Sequence, residues 1–170
     1  MEDKDGKKDI KLIPYDVEKD WIRDEGFSLN DLYANLSLLN ARSVTVIMDA
    51  CFTGGSRSSG VFESKSIANQ KLVLVDAFEM DTPWLVDKNF RVFASSRGDQ
   101  ASFANDRSQS GLFTYFLAIG LQGEADADGN GAVTMRELVD FVSDSVHKES
   151  GGLQTPQFYG DADFVVERIK

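Results

Sequence analysis

Residues 43–55 read Ser43-Val44-Thr45-Val46-Ile47-Met48-Asp49-Ala50-Cys51-Phe52-Thr53-Gly54-Gly55, and their reading decides the fold. The uncharged, β-branched run from Val44 to Met48 predicts a strand buried on both faces, as in a parallel sheet. Open α/β sheets carry their chemistry just past the carboxyl ends of such strands. Cys51, the only cysteine of the chain, stands there. The tract Gly54-Gly55-Ser56-Arg57-Ser58-Ser59-Gly60 cannot continue a strand and leaves the thiol at the lip of a loop. Two readings follow for Cys51: a small buried hydrophobe, or a reactive thiol at a strand tip.

Working outward, Ile10 to Asp16 predicts a short strand closed by Pro14. Ser28-Leu29-Asn30-Asp31 fits a helix-capping pattern, and Leu29, Leu32, Tyr33, Leu36 and Leu39 recur at helical spacing, so an amphipathic helix packs on the sheet. Lys71 to Asp76 reads as a strand or buried segment, and Phe90 to Ser96 as a further strand with Arg97-Gly98-Asp99-Gln100 at its carboxyl end. Asp49, Cys51 and Asp99 would then border one crevice. Gly111 to Leu121 is almost wholly apolar and predicts a helix buried against the sheet. Thr134-Met135-Arg136-Glu137 caps another helix, with Leu138, Phe141, Val142 and Val146 on its inner face, and Phe164-Val165-Val166 reads as an edge or terminal strand. The fold class is α/β, with a largely parallel central sheet flanked by helices, and residues 1–170 form a single domain.

The composition narrows the partners. With 42% hydrophobic residues and 12 phenylalanines, 170 residues can bury a real core and need not be disordered. A net charge of -10 argues against nucleic acid or an anionic membrane and favours cationic ligands, such as calcium or a substrate bearing Lys or Arg. The N-terminus, Met1 to Lys8, has no apolar core of the kind a signal peptide requires, no later apolar run is long enough to span a bilayer, and one cysteine allows no internal disulfide, which together point to a cytoplasmic protein.

Residues 126–137 match every fixed position of the EF-hand calcium loop. Hard calcium takes oxygen ligands from the first, third and fifth places and a bidentate Glu at the twelfth, with glycine at the sixth for the sharp turn. Asp126, Asp128, Asn130 and Glu137 would supply side chains, Ala132 its carbonyl, and Thr134 a direct or water-mediated contact, while Val133 is buried. The other reading of this EF-hand-like loop is an Asp/Gly-rich turn kept for its geometry. With no second loop to pair with it, weak structural binding is expected.

Four blocks carry a family resemblance. Asp49-Ala50-Cys51-Phe52-Thr53-Gly54-Gly55 resembles the nucleophile block of the caspase and metacaspase superfamily, in the Asp-x-Cys form of metacaspases and bacterial caspase-like peptidases; true caspases carry Gln-Ala-Cys. Phe93 to Ser102, Gly111 to Phe116 and Gln154-Thr155-Pro156-Gln157 resemble bacterial members in the same order. The resemblance spans nearly the whole chain but only the later part of the family's domain, so the caspase-like sheet is expected to be incomplete at its N-terminal side.

This resemblance implies a cysteine endopeptidase with Cys51 as nucleophile. It places Asp49 in a pocket for a substrate Arg or Lys, with Asp99 as a second candidate there. The family's base is a His-Gly pair about 50 residues before the cysteine, and counting back from Cys51 reaches Met1. Pro14-Tyr15-Asp16 is similar to the piece that closely follows that block. The only histidine, His147, falls near the end of a helix, where the dipole favours it, so no base is assigned. This chain alone is then expected to be inactive, and to self-associate or take up the missing N-terminal segment in trans. Arg57 or Lys65 would be a processing site, or merely solvated loop charges. Asp49 has the alternative of capping the next turn. The rival to the peptidase is a non-catalytic caspase-like scaffold that keeps the calcium loop.

Overall fold

The computed structural model describes residues 10–12, 26–50, 82–97, 100–105 and 109–169. Pro14, Cys51, Arg57, Lys65, the apolar stretch Lys71 to Asp76 and Asp99 lie outside the described residues. The chain divides into two compact units, Met1–Val44 with Val75–Phe90, and Thr45–Leu74 with Arg91–Lys170.

In the first unit, β1 (Lys11–Leu12) pairs antiparallel with β2 (Phe27–Ser28). Ser28 then opens α1 (Leu29–Ser37), and its hydroxyl accepts from the Asp31 N–H at 3.2 Å, as its capping pattern predicts. Leu29 and Tyr33, one turn apart, are buried, and the Tyr33 ring stands edge-on to Trp84 and Phe90 at 5.7 and 5.9 Å. At the helix end the Ser37 hydroxyl donates back to the Tyr33 carbonyl at 2.8 Å. Leu39 therefore lies beyond the helix and is exposed, which removes it from the expected apolar stripe.

The remaining elements follow in order: β3 (Val44–Met48), β4 (Phe90–Ala94), β5 (Ala104–Asn105), β6 (Ser110–Gly111), α2 (Leu112–Ile119), β7 (Ala132–Thr134), α3 (Met135–Glu149), β8 (Gln157–Tyr159) and β9 (Val165–Arg168). A three-stranded sheet runs β3-β4-β8. The Val44 N–H donates to the Asn89 carbonyl where β3 and β4 start, and the Ser95 N–H to the Met48 carbonyl where they end, so the two strands point the same way. β8 runs antiparallel to β4 with Phe158 opposite Phe93, and β5–β6 and β7–β9 are antiparallel as well. The sheet expected to be largely parallel is thus mixed among the described residues, parallel only between β3 and β4.

β3 is not buried on both faces, as its apolar run had predicted: Val44, Val46 and Met48 are half-buried while Thr45 and Ile47 are exposed. β-branched residues suit a half-covered pleated face as well as a core, and the run alone does not separate the two. The strand that is buried throughout is β4. Even Arg91 is buried there, its Nε–H donating to the Asp161 carbonyl at 2.7 Å and its guanidinium lying 4.2 Å from the centre of the Phe164 ring.

The core of the second unit forms where β4, α2 and α3 meet. Phe93 packs edge-on against Phe113 at 4.8 Å and against Phe158 at 5.8 Å. Leu138, Val142 and Val146 of α3 are buried as their spacing predicts, and Phe141 packs against them partly buried. Each fully buried side chain of this size stabilises the fold by about 1.5–3 kcal/mol. α2 is buried against β4 through Phe113, as its apolar run predicts, and it also packs along α3. Close approach needs Gly120, because a Cβ there would run into the Leu138 side chain. Beyond Ile119 the chain widens into a π-type turn, Gly120–Glu124, in which Gly123 takes a φ of 119° that disfavours any other residue. No helix of the described residues is long and apolar enough to cross a membrane.

Candidate active site at the end of β3

Parallel β3 and β4 bring their carboxyl ends together. Besides the Ser95 N–H bond to Met48, the Ser95 hydroxyl donates to the Ala50 carbonyl at 3.4 Å. Between these two tied residues stands Asp49, half-buried. Its Oδ1 accepts from the Ser102 hydroxyl at 2.7 Å and its Oδ2 from the Thr114 hydroxyl at 2.6 Å. Thr114 lies in the first turn of α2, whose N-cap, Gly111, has no side chain to cap with. The Asp49 carboxylate occupies the space that a Cβ on Gly111 would fill, and so sets a negative charge against the positive end of the helix.

Two charge-assisted hydrogen bonds, the one from Thr114 exposed to solvent, fix this carboxylate in direction. Ser102 is itself held in place from below. Phe103, next along the chain, donates its N–H to Oε1 of Gln154 at 2.8 Å, and the Nε2 of the same fully buried amide donates to the Ser95 carbonyl at 2.8 Å. Gln100 and Thr155 add a reciprocal pair alongside, the Thr155 N–H donating to Oε1 of Gln100 at 2.8 Å.

A sequence model described as "Caspase domain" matches residues 2–164. The chain belongs to the caspase-domain family. That family is one of cysteine peptidases acting on proteins, and its α/β architecture accounts for the strands and helices above. Among solved structures, caspase-1 from Spodoptera frugiperda aligns with a TM-score of 0.49 and 15% sequence identity, over 86% of this chain and 56% of that one. The chain thus spans little more than half the length of that structure. Among curated proteins none matches.

Of the residues that the caspase resemblance singles out, Asp49 is described and stands at the strand end, whereas Cys51 and Asp99 lie outside the described residues. His147 is exposed in the last turn of α3, its carbonyl accepting from the Gly152 N–H at 2.8 Å and its ring lying over Gly152. Ser102, Gly111, Thr114 and Gln154 were not singled out by sequence reasoning. Each lies within a family-like block, but no periodicity marks a lone hydroxyl or amide whose partner is 53, 65 or 59 residues away.

A second cluster forms in the acidic loop. Asp126, Asp128 and Glu137 offer carboxylate oxygens that all lie within 4.8 Å of one another. The tight path depends on Gly129 and Gly131, with φ of 70° and 80°. Asp126 accepts the N–H groups of Asn130 and Gly131, while Asn130 Oδ1 accepts from the Ala132 N–H. Val133 is fully buried, as its eighth place in the loop requires. Thr134 and Glu137 form a complete capping box for α3. Hydrogen bonds from the Thr134 N–H and hydroxyl hold the Glu137 carboxyl below the usual carboxylate range. Asp126, Asp128 and Glu137 are the side chains of this loop that could hold a metal ion, and their hard oxygens would suit calcium.

Proposed function

We propose that this protein is a cysteine endopeptidase that cuts after arginine or lysine, with Cys51 as nucleophile and Asp49 as the anion that receives the basic side chain. The observation that carries the reading is the oriented Asp49 carboxylate, two residues before the cysteine in a chain of the caspase-domain family. The Cys51 thiolate adds to the scissile carbonyl carbon, the C–N bond breaks as the leaving amine takes up a proton, and water then releases the acyl group from sulfur. Asp99 remains a second candidate for the basic-side-chain pocket. No residue is assigned as the base that takes the thiol proton.

The test is cleavage, by an intact version of the domain that carries the family's His-Gly block, of matched peptides with Arg, Lys or Asp on the acyl side. Cutting after Arg and Lys is expected, and Cys51→Ala should lower it by at least about 10⁴-fold. Preference for Asp overturns the role of Asp49. A second reading is a non-catalytic caspase-like scaffold. Equal, background-level turnover by the intact domain and its Cys51→Ala variant would select it.

We further propose that residues 126–137 bind calcium weakly, with a Kd of about 10⁻⁴–10⁻³ M. Asn130, Ala132 and Thr134 complete the ligand set, although in this structure their described hydrogen bonds serve the loop and the cap. Titration calorimetry at millimolar calcium should give heat for wild type and none for Asp126→Ala; silence from both ends the proposal.

A further inference from the structure

Gln154 has no place in the chemistry above, yet it is fully buried, and a buried primary amide is tolerated only when both of its ends are paired. Both are, and the partners fix its orientation: the Ser95 carbonyl can only accept and the Phe103 N–H can only donate. Its backbone is pinned as well, the Gln154 N–H donating to the Ser150 hydroxyl at 3.0 Å. One covalent step from these contacts stand the groups that hold the site. Ser102, preceding Phe103, donates to Asp49, and Ser95 ties Met48 and Ala50, on either side of Asp49.

We infer that Gln154 is a positioning residue for substrate specificity: its amide sets the spacing between the end of β4 and the 102–103 segment, and so aims the Asp49 carboxylate. The inference rests on reading Asp49 as the receptor for a basic side chain. Ser102 transmits the effect on one side and Ser95 on the other. A substitution at 154 therefore loosens the carboxylate without touching it.

Two variants test this. Gln154→Met keeps the volume and removes both hydrogen bonds. Gln154→Glu keeps the shape and the acceptor for Phe103, but sets a carboxylate oxygen against the Ser95 carbonyl. Placed in the intact domain with its His-Gly block, and with folding verified by thermal melting, both should raise KM for Arg peptides by about tenfold or more, with a smaller change in kcat. Hydrogen exchange should speed up in residues 100–105, while the buried face of α3 around 138–146 stays protected. Wild-type KM together with wild-type exchange in 100–105 overturns the inference, as does exchange that rises uniformly over the whole chain. If wild type does not prefer basic peptides, the reading of Asp49 has failed and the exchange data alone judge Gln154. If neither variant folds, Ser102→Ala must give the same KM rise in a folded protein, and its absence is equally fatal.

Discussion

Asp49→Asn is expected to lower cleavage after arginine and lysine by about 10²–10³-fold while leaving the fold in place. The size follows from removing one member of a partly desolvated charge pair, which costs about 2–5 kcal/mol of binding to the cationic side chain. Asparagine has nearly the same shape, keeps one acceptor for Ser102 or Thr114, and meets the other hydroxyl with its amide, which that hydroxyl can accept. Stability therefore changes little compared with specificity. The measurement is kcat/KM on paired peptides that differ only in Arg against an uncharged isostere: the loss should be confined to the charged member, so that selectivity collapses. An equal loss on both peptides would mean that the carboxylate supports the strand tip without meeting substrate.

Gly111→Ala should produce a comparable loss by a different route. Gly111 has φ -66° and ψ 148°, which alanine adopts without strain, so the backbone gives no reason for glycine here. The reason is the neighbour: an added Cβ would overlap the Asp49 carboxylate. Asp is short, and to clear the methyl group it must turn away from both Ser102 and Thr114. Breaking those contacts is expected to destabilise the protein by about 2–3 kcal/mol in chemical denaturation. A double-mutant cycle isolates the cause. In an Asp49→Ala background the same glycine substitution should cost about 1 kcal/mol or less, the ordinary price of alanine at an N-cap. An undiminished cost there would place the clash elsewhere.

These two residues also mark how far the chain could be read without coordinates. The local signals are legible because their partners are near in sequence: Ser28 caps Asp31, Thr134 and Glu137 close a capping box, and α3 buries the stripe that its spacing sets out. β4 and the direction of β3 alongside it follow from apolar runs, whereas β8, only three residues long, is too short for a period-two pattern. At the site, Asp49 was visible through its resemblance to a family block, but its donors were not. Ser102, Thr114 and Gln154 act on groups more than 50 residues away, and such pairings depend on tertiary placement that propensity does not encode. The family-like blocks at Phe93 to Ser102 and Gly111 to Phe116 contain Ser102, Gly111 and Thr114, which meet Asp49, and the block at Gln154 to Gln157 contains the amide that meets Ser95 and Phe103.

The last strand bears on how the protein should be handled. β9 pairs with β7, the segment that closes the acidic loop, and the Ile169 N–H donates to the carbonyl of Gly131 at its sixth place. An affinity tag or fusion partner joined after residue 170 would begin beside the proposed ion ligands, and a polyhistidine tail there would bring metal-binding groups of its own. Recombinant material for calorimetry should carry its handle at the opposite terminus.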